Sequence, residues 1–203
     1  MNGVAQGLRL ATTDDDSVLD LDLMQGLWTE VQYLKLTDHS RRLFEFTDGS
    51  IEVLPMPTDK HQSISRFLLF AFFTWVQQIG GTVLYAPLRL QIRARKFREP
   101  DLLLVRNADD PRRQNAYWLG ADLVVEIVSP DDPERDTQVK RDEYAEAGIP
   151  EYWIVNPEDE TVMVLRLEGV QYVEHGIFRR GDAASSALLT GFTIDVNAVF
   201  DAH

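Results

Sequence analysis

The sequence predicts an α/β domain with a mixed β-sheet flanked by helices and extended by β-hairpins. Three observations carry this reading. Strand-like apolar segments (TVLYAPLRLQI, DLLLV, ADLVVEIV, EYWIV) are interrupted by single helical segments. Hairpin patterns toward both ends of the chain argue against a purely parallel, doubly wound sheet. The 203 residues, 44% of them hydrophobic, suffice for one core and are too few for two full domains.

Taken in order, residues 1–23 read as a flexible acidic tail carrying Asp14-Asp15-Asp16, and residues 24–203 as a single domain. LMQGLWTEVQYLKL allows a short helix over about 24–36, weakened by Gly26. RRLFEFTDGSIEVLPMP reads as two strands turning at Asp48-Gly49. Asp59 is placed to cap a helix over about 60–79, where Ile64, Phe67, Leu68, Ala71, Phe72, Trp75 and Ile79 recur at helical spacing. Further apolar residues fill most of its remaining surface, so burial on both sides is expected, as core and as a subunit interface. Gly80-Gly81 stop it. A later helix, about 136–147, ends at Gly148 and Pro150. TVMVLRL and VQYVEH form a second hairpin, and a short helix near 195–200 closes the chain.

Composition excludes several chemistries. With no Cys there are no disulfides, thiolate metal sites or cysteine nucleophiles, which suits a reducing cytoplasm. No signal peptide is visible and no apolar run is long enough to span a bilayer, so no membrane association is expected. G-x-G-x-x-G, Walker A, G-x-S-x-G and H-E-x-x-H are all missing, and the four His show no paired spacing. Net charge is -13, yet residues 61–120 hold 9 basic against 4 acidic groups. Arg89, Arg93, Arg95, Lys96 and Arg98 crowd just ahead of Pro100-Asp101.

Carboxylates and one lysine remain as candidates. Asp101 opens the strand DLLLV, and Glu126 sits inside the otherwise apolar VVEIV. A buried carboxylate is costly unless paired or metal-bound. Glu126 alone would suit a structural salt bridge to Arg89 or Arg93. With Asp101 on a neighbouring strand, two close carboxylates need a cation between them, a role for Mg²⁺. Asp136, Lys140 and Tyr144 fall at i, i+4 and i+8, on one helix face that begins just after the Glu126 strand. For Asp136 an ordinary surface pair is the simpler reading, and for Tyr144 a packed ring with its hydroxyl at the rim. Lys140 is directed to the strand's C-terminal end, where α/β sheets place ligands.

These segments, FEFTDGSIEVLPMP, His61, REPDLLLV, ADLVVEIVSPDD and Lys140 through GIPEYWIVNP, resemble the PD-(D/E)xK restriction-endonuclease-like superfamily. The closest resemblance is to its bacterial branch of Uma-type restriction endonucleases, and it spans about residues 25–200. The resemblance implies a restriction-endonuclease-like fold and Mg²⁺- or Mn²⁺-dependent phosphodiester hydrolysis of DNA. It matches Asp101 and Glu126 to metal ligands, joined by the main-chain carbonyl of Ile127. The superfamily's lysine follows the acidic residue by two positions, where this chain has Val128. Lys140 matches the lysine that the Uma-type branch carries on the following helix. Glu45 matches an acidic residue that completes such sites, by binding a second metal or aligning Lys140. His61 matches a position for contacting phosphate or relaying a proton.

Function is thus expected to be that of a metal-dependent DNA endonuclease. Arg89, Arg93, Arg95, Lys96 and Arg98 would grip the DNA backbone or, alternatively, form a solvated face. A homodimer is expected through the helix over 60–79. The competing reading is a catalytically inactive nuclease-fold protein that binds or assembles, favoured by Val128 and the acidic net charge. Glycoside hydrolysis by a carboxylate pair ranks last, lacking an aromatic-rich cleft.

Overall fold

A computed structural model describes residues 9–11, 18–40, 42–130 and 132–203. The N-terminal elements are β1 (Arg9–Ala11), β2 (Val18–Asp20), α1 (Glu30–His39), β3 (Phe44–Thr47) and β4 (Ser50–Val53). Next come α2 (Asp59–Val76), β5 (Thr82–Tyr85), β6 (Leu90–Arg93), β7 (Lys96–Arg98), β8 (Leu102–Val105) and β9 (Leu123–Ile127). The chain ends with α3 (Lys140–Glu146), β10 (Glu151–Asn156), β11 (Thr161–Glu168), β12 (Gln171–Arg179), β13 (Ala183–Ser185), β14 (Thr193–Asp195) and α4 (Val196–Phe200). They form two compact units, Met1–Met56 with Ala94–Arg98, and Pro57–Arg93 with Glu99–His203. Of the tail expected over 1–23, the run Asp14–Asp16 lies outside the described residues, while β1 and β2 pair antiparallel.

In the first unit, α1 begins later than its apolar pattern suggests. Gly26 adopts φ 85°, and Thr29 caps the helix in a reciprocal capping box with Gln32. The β3–β4 hairpin turns through Asp48 (φ 49°) and Gly49 (φ 99°), both left-handed as a tight primed turn requires. A Cβ at Gly49 would stand 2.4 Å from the Gly26 carbonyl oxygen, so only glycine fits. Tyr33 stacks on Phe46 at 5.1 Å and packs against Phe97, giving this unit an aromatic core.

In the second unit, six strands run in the order β12-β11-β10-β9-β8-β5. Only β9 and β10 pair in parallel, and α3 lies in the crossover between them. Alternation along the central strands sends Leu102, Leu104, Leu123 and Val125 to a core shared with Ile64, Leu68, Phe72 and Val76 of α2. It sends Leu103, Val105, Val124 and Val128 to the opposite face, with Tyr144 and Tyr152. Glu126 therefore belongs to the second face, between Val124 and Val128.

One expectation for α2 changes: Thr58, not Asp59, caps it, accepting from the His61 amide. In the single chain Phe70 is 62% and Phe73 44% exposed, on the side that the expected subunit interface would cover. No helix among the described residues is long and apolar enough to cross a membrane.

Candidate active site

β8 and β9 pair antiparallel with Leu102 opposite Val125. One step along that register sets Asp101 opposite Glu126, where both strands reach the same edge. Asp101 Oδ2 accepts from the Ile127 amide at 2.7 Å and meets His61 Nε2 at 3.2 Å. Glu126 is 3% exposed; its Oε1 accepts a hydrogen bond from the Tyr144 hydroxyl and its Oε2 lies 2.9 Å from Lys140 Nζ. Lys140 Nζ also lies 3.0 Å from Asp136 Oδ1. Asp101, Glu126, Lys140 and His61 thus all belong to the second unit. Glu45 belongs to the first, where it is 1% exposed and lies 3.3 Å from Arg98 Nε.

Burial disfavours a charged imidazole at His61, but the hydrogen bond and charge of Asp101, with the charge of Asp136 and the Ile127 carbonyl, outweigh it and raise its pKa. Its Nδ1 is buried and makes no hydrogen bond. Burial, then the negative charges of Glu126 and Asp136, push the Tyr152 phenol well above its ordinary pKa, so it remains a donor. Three carboxylates thus collect around one ammonium and one imidazole.

Several readings of the sequence need correction. Asp136 is 4% exposed and faces Lys140 inside the protein, not at the surface. Tyr144 is fully buried, and its hydroxyl holds Glu126 rather than sitting at a rim. The cation at Glu126 is Lys140, while Arg93 turns to Glu146 at 3.1 Å. The signal for Asp136 and Tyr144 was their shared spacing with Lys140. Tyr152, whose hydroxyl bonds the Asp136 carbonyl at 2.7 Å, gave none beyond an apolar strand. In the basic stretch Arg95 is exposed and Arg89 and Arg93 are half-buried, but Lys96 and Arg98 are buried. A charge that is buried and paired is poorly placed to meet DNA phosphates.

The residues fit a divalent ion in a limited sense. Among the described residues, no three His, Asp or Glu side chains gather as a coordinating set. The strands supply two carboxylates, Asp101 and Glu126, and the Ile127 carbonyl, within what Mg²⁺ accepts when waters complete its shell. Near these groups the buried His61 Nδ1 has no hydrogen-bond partner, an orphaned polar atom at the same place.

A family model described as "Putative restriction endonuclease", Uma2, matches residues 30–197. The chain is also similar to a solved crystal structure of a putative nuclease belonging to DUF820 from Anabaena variabilis, at 20% identity and a TM-score of 0.70, covering 85% of this chain and 97% of that one. At that identity the likeness speaks for the fold. No curated protein matches the chain.

Proposed function

The chain belongs to the Uma2 restriction endonuclease family, and on that premise we propose that it is a metal-dependent endodeoxyribonuclease of the PD-(D/E)xK type. The observation that carries this is the place of Lys140: its ammonium lies 2.9 Å from Glu126 Oε2, on the strand whose register sets Asp101 opposite. The face that the missing motif lysine would occupy at Val128 is filled by apolar packing, and the cation arrives from the next helix instead.

Asp101, Glu126 and the Ile127 carbonyl would hold Mg²⁺ or Mn²⁺. Such an ion, when bound, lowers the pKa of a coordinated water and offsets charge on the phosphate. Once Glu126 turns to such an ion, the Lys140 ammonium would offset charge developing on the phosphoryl oxygens. Tyr144 orients Glu126 by donating to Oε1. His61, held by Asp101 at 3.2 Å, would pass a proton to the leaving oxygen. Arg89 and Arg93, half-buried, and Arg95, exposed, would contact the DNA backbone. A homodimer through α2 would cover Phe70 and Phe73, exposed on a helix with no charged residue from Phe67 onward.

The test is incubation of supercoiled plasmid or branched DNA with the purified protein and Mg²⁺ or Mn²⁺, then with EDTA. Metal-dependent nicking that Asp101→Ala and Glu126→Ala abolish supports the enzyme. A second reading, a nuclease-fold protein that binds without turnover, has Val128 in its favour. It prevails if DNA or a protein partner binds while metal does not and no strand is cut.

A further inference from the structure

Lys140 faces two buried carboxylates that are not equivalent. Glu126 stands on a separate strand, and both of its oxygens are engaged, by the Tyr144 hydroxyl and by the Lys140 ammonium. Any cation that recruits Glu126 competes with that ammonium. Asp136 approaches from the same helical segment as Lys140, so its separation from the lysine is set by the backbone between them.

That backbone is unusual. Residues Arg135–Val139 form a π-turn, in which the Lys140 amide donates to the Arg135 carbonyl. An ordinary α-turn would direct it to Asp136. The Asp136 carbonyl, released from that duty, accepts the Tyr152 hydroxyl at 2.7 Å. A strand of the sheet therefore pins the turn by its main chain. Both side chains of the pair are only 6% exposed, and the ammonium they share with Glu126 lies 2.9 Å from its Oε2. Single π-turns of this kind concentrate at functional sites.

Resting on the nuclease reading above, we propose that Asp136 is the positioning residue for Lys140: it keeps the ammonium beside Glu126 while Glu126 turns its carboxylate to a divalent cation. Glu126 is the exchangeable partner and Asp136 the permanent one. Without Asp136, an ammonium displaced by a metal would lose the buried carboxylate that meets it at 3.0 Å from its own helical segment and would withdraw from the site.

Two measurements test this. The chain has four lysines (Lys35, Lys60, Lys96, Lys140), so the ¹⁵N ammonium resonance of Lys140 is assignable by comparison with Lys140→Arg. Glu126→Gln removes the exchangeable charge with no metal needed. The Lys140 resonance is expected to persist in Glu126→Gln and to vanish into exchange with water in Glu126→Gln/Asp136→Asn. Its loss in Glu126→Gln alone overturns the proposal. In single-turnover plasmid nicking at saturating Mg²⁺ and DNA, Asp136→Asn is expected to slow cleavage by about 100-fold, with DNA affinity changed less than about threefold. Asp136→Glu, which restores the charge, is expected to recover part of the rate. An equal loss in rate and DNA affinity, with no recovery by Glu, would make Asp136 merely structural and overturn the proposal. If the wild-type protein cuts no DNA, the nuclease reading fails, and the ammonium measurement still decides the role of Asp136.

Discussion

Replacing Lys140 by Met removes one charge and keeps most of the side-chain stem. The side chains of Lys140, Glu126 and Asp136 are respectively 6%, 4% and 6% exposed. Solvent therefore cannot screen the two carboxylates left facing each other. Breaking such a buried pair by removing one partner costs about 3–5 kcal/mol. For a chain of this length each kcal/mol lowers Tm by roughly 2–4 °C, so a drop of about 6–20 °C is expected. Scanning calorimetry in EDTA measures it directly. Because the penalty is uncompensated negative charge, adding Glu126→Gln to Lys140→Met should restore a substantial part of the loss, and millimolar Mn²⁺ should do the same for the single variant. A loss below about 1 kcal/mol would equate the pair with an exposed surface contact and refute the burial argument.

Three further outcomes follow from the geometry. His61 has its pKa raised above 6.5 by Asp101 against the opposing effect of burial, so the pair stabilises fully below about pH 6.5 and progressively less as pH rises through the folded value. In metal-free protein, His61→Gln should therefore cost more stability near about pH 5.5 than near about pH 8.5, and a difference independent of pH would contradict this. Glu151 is fully buried and accepts from Trp153 Nε1, Ser186 Oγ and the Leu188 amide, each at 2.6 Å. Glu151→Ala orphans these donors and should cost about 3–5 kcal/mol by urea denaturation; less than about 1 kcal/mol would mean the network contributes little. Phe70, 62% exposed on α2, is central to the proposed dimer, so Phe70→Asp should halve the mass seen by light scattering at micromolar concentration. A wild-type monomer would exclude that interface.

The sheet was legible because its signal is local. Two apolar strand patterns were visible in DLLLV and VVEIV, and they pair as β8 and β9, with Asp101 directly before the one and Glu126 within the other. Lys140 was legible for the same reason, from helix spacing and its place directly after β9. The burial of Asp136 was not, since D-x-x-x-K on a helix reads equally well as a solvated pair. What decides it is the π-turn, and that turn depends on Tyr152 reaching the Asp136 carbonyl from another element. In the Arg89–Arg98 stretch, charge density in sequence does not reveal that Arg98 turns inward to Glu45. For α2, Ile64, Leu68, Phe72 and Val76 are buried in the core with the sheet residues, and Phe67, Leu69, Ala71 and Trp75 pack partly buried against it.

Calorimetric titration of Mn²⁺ into the wild-type protein, Asp101→Asn and Glu126→Gln addresses the site most directly. A single saturable site in the wild type, weakened by at least tenfold in each variant, is the expected result. Equal binding in all three proteins, or none in the wild type, would show that these two carboxylates do not hold a divalent ion.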